Sequence, residues 1–512
     1  MNLFRATLTA LTLISVLLMN ESAVAQKKET VVEKFADALG DLLREAVGEK
    51  KVVPAQRIRQ MAQPALPEPA PDQLKRREER LTAYSNAMVE WIAPVCELSP
   101  EETALLQKFA ADRVAEKQKD WKPDPNRDPL HDTFPVKFTL AMGTAEQLDL
   151  TRQQRKLNGL LNDEQLDRLS AAADERRAFH LHATVERVLN MLDEELYLTA
   201  AQRKEMYQPL RERLDGMEGS SFAFTPQSYY YKQQSLAFLL RRGDHLKCLN
   251  AAQRARAKDF SDAAASQNNN GVSNEQYLYF SSSEGMHTWG DKLLEASKIQ
   301  RERISRACAV RAAYGQAEWG LSDEDARHLE IAGKGVAENL IEDWKKTTRQ
   351  RLKTYEDQAG RFGGNFSFGV SVPDLNLIES DALWKHTVES LLPVAYEPAL
   401  TRHVAMRRSS AIHLTALLDK ELWLRPEQRS KVQELVEESL PSGNFQNPYR
   451  KYMEEVATLV MPLFKFSKQD ATVFQGAQQE AWNAMKGEFD FNGRYVQVNL
   501  ANGGSFNFQI PK

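Results

Sequence analysis

Apolar residues over most of this 512-residue chain recur every three or four positions, the spacing that puts them on one face of a helix. Val185, Val188, Leu189, Leu192 and Leu196 make one such stripe, and Val432, Leu435, Val436 and Leu440 make another. A period of two, the mark of a half-buried strand, is rarer. It runs through Phe366, Phe368, Val370 and Val372, and through a tail from Phe489 that includes Phe491, Tyr495, Val498, Leu500, Phe506, Phe508 and Ile510. In that tail Asn492-Gly493 is a hairpin signal and Asn502-Gly503-Gly504 a second turn. The pattern predicts a mainly α fold with a small antiparallel sheet of three or four strands near the C-terminus, the 366–372 segment being a candidate member.

The stripes repeat. Leu192–Arg203 (LDEELYLTAAQR) matches Leu418–Arg429 (LDKELWLRPEQR), and Cys96–Gln107 lines up with Trp319–Glu330 at nearly the same separation. Two tandem duplicated units of αα-hairpins follow, at 73–265 and 300–487, each expected to bury one core. A polar, Gly-containing stretch, 266–299, reads as the loop between them, and 488–512 as a β-hairpin tail.

A five-residue signature marks where helices begin: LSPEE at 98–102, LTRQQ at 150–154, LNDEQ at 161–165, LTAAQ at 198–202, LNAAQ at 249–253, LSDED at 321–325 and LRPEQ at 424–428. Ser, Thr or Asn at the cap accepts a bond from an orphan backbone N–H, while Gln or Glu three positions on reaches back to the N–H of the cap residue. Pro100 and Pro426 fall at the first helical position, where a missing N–H costs nothing. Arg425 stands where a cap oxygen belongs, so that helix start must be weaker. Arg203 and Arg429 occupy the place of a hydrophobic staple partner, for which only their aliphatic stems are suited.

Upstream, Arg5, the apolar run Leu8–Met19 and the triplet Ala23-Val24-Ala25 have the order of an export signal, 1–25, cleaved after Ala25. The run is too short to span a bilayer, so the mature chain is expected to be periplasmic or secreted, with no membrane span after cleavage. Residues 26–72 then read as an amphipathic helix, with Val31, Val32, Phe35, Leu39, Leu42, Leu43 and Val47 on its apolar face, and a proline-rich linker. The predominantly acidic polar face of that helix argues against anionic lipid; docking on its own protein or on a partner are the open alternatives. Net charge sharpens the picture: 67 Lys plus Arg against 71 Asp plus Glu give −4, which leaves no cationic excess for nucleic acid.

Candidate chemistry is sparse. The chain has no GxGxxG, P-loop, GxSxG, HExxH or EF-hand pattern, and no catalytic, cofactor-binding or metal residue is assigned. His180 and His182 on one helix point about 200° apart, too far to chelate one ion, and are read as structural or surface residues. His245 and Cys248 share a helical face and are two fragments of a site that would need four ligands. Cys96, Cys248 and Cys308 allow at most one bridge; buried inert thiols are the preferred reading and one disulfide the alternative.

On LTRQQ at 150–154, LTAAQ at 198–202 and the looser copies, the chain resembles bacterial LTxxQ-motif envelope proteins of the Spy and CpxP type and the zinc-resistance-associated periplasmic proteins. In its length, tandem duplication and extra sheet it is closer in outline to large exported bacterial proteins with the same signature. The resemblance implies an all-helical, chaperone-like or stress-sensing role. The resulting expectation is an exported, non-enzymatic protein-binding component, without cofactor, whose partners are other envelope proteins. The alternatives are an enzyme or metal-handling protein with a site between the two units, and a purely structural envelope component.

Overall fold

The structure is a computed structural model that describes residues 71–119, 149–152, 157, 159–215, 239–240, 243–266, 277–281, 285–362, 367–392, 398–440, 473–486, 489–492, 495–499 and 505–509. The expected export signal, the 31–47 helix and nearly all of the proline-rich linker lie outside these residues, as does the second half of the 150–154 signature.

The fold is mainly α. In chain order the elements are α1 (Pro71–Val95), α2 (Pro100–Lys119), α3 (Asp163–Leu196), α4 (Ala200–Asp215), α5 (Ala251–Ser266), β1 (Tyr277–Ser281), α6 (Gly285–Glu318), α7 (Asp323–Phe362), β2 (Ser367–Ser371), α8 (Leu377–Ser380), α9 (Ala382–Leu391), α10 (Pro398–Leu422), α11 (Pro426–Ser439), α12 (Gly476–Lys486), β3 (Phe489–Asn492), β4 (Tyr495–Asn499) and β5 (Ser505–Gln509). Among the described residues no helix is long and apolar enough to cross a membrane.

Four hairpins, α1–α2, α3–α4, α6–α7 and α10–α11, turn through the same corner. The first helix ends on a residue with positive φ: Glu97 at 53°, Tyr197 at 49°, Gly320 at 67° and Trp423 at 53°. Such a left-handed residue closes a helix by turning its N–H back on the last turn, and Tyr197 N and Trp423 N each donate to a carbonyl four residues earlier, at 2.9 Å. The next residue is a leucine packed into the core, and the one after it caps the following helix. Thr199 N donates to Gln202 Oε1 at 3.0 Å while Gln202 N donates to Thr199 Oγ1 at 3.1 Å. The same reciprocal pair joins Ser99 to Glu102, Asn162 to Gln165, Asn250 to Gln253 and Ser322 to Asp325. At Arg425 the backbone N–H donates to Gln428 Oε1 at 2.9 Å, but a guanidinium has no acceptor with which to return the bond, so this cap is half made, as its sequence implies.

The cores do not follow the expected one per unit. Leu81, Met88, Ile92 and Leu169 from the first half pack in one cluster with Leu417, Trp423, Val432 and Trp482 from the second. A second cluster joins α3, α4 and α5 with Leu239, Leu240 and Leu249, around Val188, Leu192 and Leu210. A third joins α6, α7, α9 and the β1–β2 ribbon around Ile304, Val336, Phe280 and Trp384. Contacts across the halves come in matched couples: α12 packs on α1 as α5 packs on α6, and α10 touches α1 as α3 touches α6. At the centre, α3 and α10 pack side by side.

Two expectations about β structure are corrected. The 367–371 strand does not join the C-terminal sheet but pairs antiparallel with β1, so residues 277–281, and 285–299 of α6, are regular structure where a loop was expected. The reason is aromatic: register sets Phe280 opposite Phe368, whose rings stack at 5.5 Å, and the indoles of Trp289 and Trp344 donate to Ser281 O and Ser371 O at opposite ends of the ribbon. The tail forms its own antiparallel sheet, β3-β4-β5, in which Asn492 pairs with Tyr495 and Asn499 with Ser505.

Candidate functional site

Among the described residues, a fully buried carboxylate, Asp419, gathers charges where α3 crosses α10. Both helices carry small residues there, Ala183 and Ala411, each fully buried, which lets the backbones approach. The register is antiparallel: Arg176 meets Asp419, Glu186 meets Ser409 and Asn190 meets Met406. Asp419, with no exposed surface, accepts from Arg176 Nε at 2.9 Å and His180 Nε2 at 2.5 Å on one oxygen and from Arg429 Nε at 3.3 Å on the other. Arg176 also donates to the Asp419 carbonyl at 2.7 Å and lies over the Trp423 ring at 3.8 Å, where the π face attracts a cation. Arg429 Nη1 donates to both carboxylate oxygens of Glu175, each at 2.8 Å.

Burial alone raises the Asp419 carboxyl, but Arg176, His180 and Arg429 outweigh it and hold the group well below the usual carboxylate range. His180 moves the opposite way. Burial lowers its pKa to about 4 although Asp419 pulls it up, so the ring is neutral at pH 7 with Nε2–H donating to the carboxylate. Two carboxylates and two guanidiniums balance, and the centre carries no net charge to draw in a cation.

The matched position in the first half is built alike. Asp193, 1% exposed, takes Arg203 at 3.3 Å and the corner N–H of Leu198 at 2.7 Å. Arg203 reaches further to Asn190 Oδ1 at 3.0 Å. Thus the arginines in the staple position also clamp the aspartate ten residues earlier across the corner, and the Arg429 guanidinium lies over the Phe179 ring at 4.8 Å.

His180 and His182 go to different partners, as their spacing predicts: His182 Nδ1 lies 2.6 Å from Tyr207 OH. His245 sits in a short 3₁₀ turn, Asp244–Leu246, where the sequence reading had placed it on a helix, and its Nε2 lies 3.1 Å from Leu239 O. Cys248 Sγ faces the His245 carbonyl at 3.5 Å. Among the described residues no group of three or more His, Cys, Asp or Glu is placed to hold a metal ion. All three cysteines are free thiols; burial pushes Cys96 and Cys308 up to about 11 and raises Cys248.

The signature glutamines do more than cap. Gln202 and Gln253, from the starts of α4 and α5, bond to each other at 2.7 Å, and Gln253 Nε2 also reaches the carbonyls of Leu196 and Tyr197 at the α3 corner. Gln428 and Gln478 repeat this at the starts of α11 and α12, with Gln478 Nε2 donating to Trp423 O at 2.9 Å. In a third pair Gln165 donates to Glu102. Gln478 belongs to a copy of the signature, Phe474–Gln478 (FQGAQ), that the sequence reading missed because Phe replaces Leu and Gln475 replaces the hydroxyl cap. The interval was the available signal, since 202 to 253 and 428 to 478 are nearly equal.

A contrasting surface lies on the α6–α7 hairpin. Ile331 of α7 is 59% exposed, and one turn on, a Cβ added to Gly335 would lie 2.6 Å from Leu383 Cδ2, so Leu383 of α9, 39% exposed, sits on that same face. Arg327, His328 and Lys334 are exposed beside Ile331, and Leu294 and Ile299 are exposed on α6. Comparison with known proteins adds no relative: no family model, no curated protein and no solved structure matches the chain.

Proposed function

We propose that the chain is an exported, non-enzymatic protein-binding component of a bacterial envelope, chaperone-like or scaffolding in action. The observation that carries this reading is the exposed apolar pair of Ile331 on α7 and Leu383 on α9, which lies beside Gly335 one turn from Ile331. Exposed apolar surface on a rigid element is what recognises unfolded or partly folded chains. The export signal and the LTxxQ-like helix starts support the same reading by resemblance. In the test, the chain from Gln26 onward is mixed with a reduced, carboxymethylated and permanently unfolded client, and binding is followed by fluorescence anisotropy. The I331D/L383D double variant, with its helix content checked against wild type by circular dichroism, should bind at least about tenfold more weakly, each carboxylate removing apolar contact worth roughly 1–2 kcal/mol. Equal binding by variant and wild type, or none by either, overturns the proposal.

A second reading, an enzyme or metal-handling protein with its site between the halves, draws on one observation: His180 and Asp419 converge there from opposite halves of the chain. It ranks second because two guanidiniums already neutralise the carboxylates beside that ring.

A further inference from the structure

Three histidines lie along the crossing of α3 and α10, and each is within electrostatic reach of the opposite helix. His180 of α3 contacts Asp419 and senses Lys420 of α10, with Arg176 on its own helix; Arg429 of α11 bonds the same carboxylate. His182 of α3 faces Tyr207 and Arg211 of α4, Arg408 of α10 and Glu186 of its own helix. His413 of α10 faces Arg187 of α3 and Lys420. From α1, Arg80 reaches Glu421 of α10. Cations thus act on all three rings, alongside Asp419 at His180 and Glu186 at His182, and a proton added to His182 or His413 meets an arginine on the opposite helix.

We propose that the α3–α10 crossing is an acid-operated latch, closed at neutral pH and parted when its three histidines take up protons. Parting would uncover Ala183, Ile412 and Ala416, now buried between the halves. The latch is independent of what the chain binds.

The sign follows from the direction in which the rings are perturbed. Burial comes first for all three and lowers each from 6.5, His180 to about 4. Closed, the rings are neutral; parted and solvated, they protonate below about 6.5. Above that pH nothing favours opening. As pH falls from 6.5 to 4 the opening equilibrium gains about tenfold per unit through His180, because the parted form binds a proton that the closed form does not; His182 and His413, lowered in the closed form by the same burial, add in the same direction. Asp419, held low when closed, adds to the loss only below the ordinary carboxylate range.

Hydrogen exchange read by mass spectrometry on the chain from Gln26, corrected for intrinsic rates and run from pH 7.5 to 4.5, tests the latch. Amides in 176–193 and 406–421 should lose at least about tenfold more protection than those of the α6–α7 hairpin. An H180Q/H182Q/H413Q variant, in which the amide at 180 can still donate to Asp419, should keep its protection at pH 4.5. Unchanged protection in the wild type, simultaneous loss in the hairpin, or opening of the variant at the same pH would each overturn the proposal. Should the triple variant not fold, the comparison of the two regions in the wild type decides alone.

Discussion

Asp419 gathers Arg176, His180 and Arg429 around one buried carboxylate. A buried ion group adds little to stability compared with a well-packed apolar core, but removing one partner leaves the others charged and desolvated. D419A should therefore cost about 3–5 kcal/mol, measured by urea unfolding, because it takes the carboxylate from the buried Arg176 and leaves Arg429 to Glu175 alone. At this scale the sequence told half the story. Asp193 and Asp419, like Arg203 and Arg429, stand in matched places of the repeat, but the run Asp193-Glu194-Glu195 reads as a solvated helix face, whereas Asp193 is 1% exposed. Nothing local connects Asp419 to Arg176, 243 residues away, since a pair that far apart is set by packing and not by periodicity.

Among elements the corner is the recurring unit, and here the sequence was most informative. Leu, a cap residue and Gln or Glu three positions later are local chemistry, and local chemistry does not depend on what covers the helix. The second role of the glutamines was hidden, because it requires two helix starts to meet. T199A removes one cap acceptor and should cost about 1 kcal/mol. Q253A removes the reciprocal cap bond of α5 and the donor to two carbonyls at the α3 corner from a side chain that is 1% exposed. It should cost more, about 2–3 kcal/mol, since buried acceptors are left without a partner. Thermal or urea unfolding of the two variants side by side checks the order; a smaller loss for Q253A would show that the glutamine pair is not a tie between helices.

For the described residues as a whole, periodicity predicted which faces are apolar but not which helix covers them. The matched sequence blocks form corners of the same geometry, yet one core is drawn from both halves, with Trp482 of α12 buried in the same cluster as Met88 of α1. Cutting the chain at a protease site placed within 267–276 should leave the two pieces in one complex on size-exclusion chromatography, and either piece alone should lose its near-UV circular dichroism. Independent, folded halves would contradict the shared core. The antiparallel crossing of α3 and α10 has a further consequence for how such a chain changes over generations. The two helices end in matching sequence blocks, offset by 226 positions as Leu192 and Leu418 show, and they meet as the two members of a symmetric dimer would. In a true dimer one codon writes both sides of the axis, so any substitution arrives twice. Here each side has its own codon, and position 180 holds histidine while its counterpart, position 406, holds methionine.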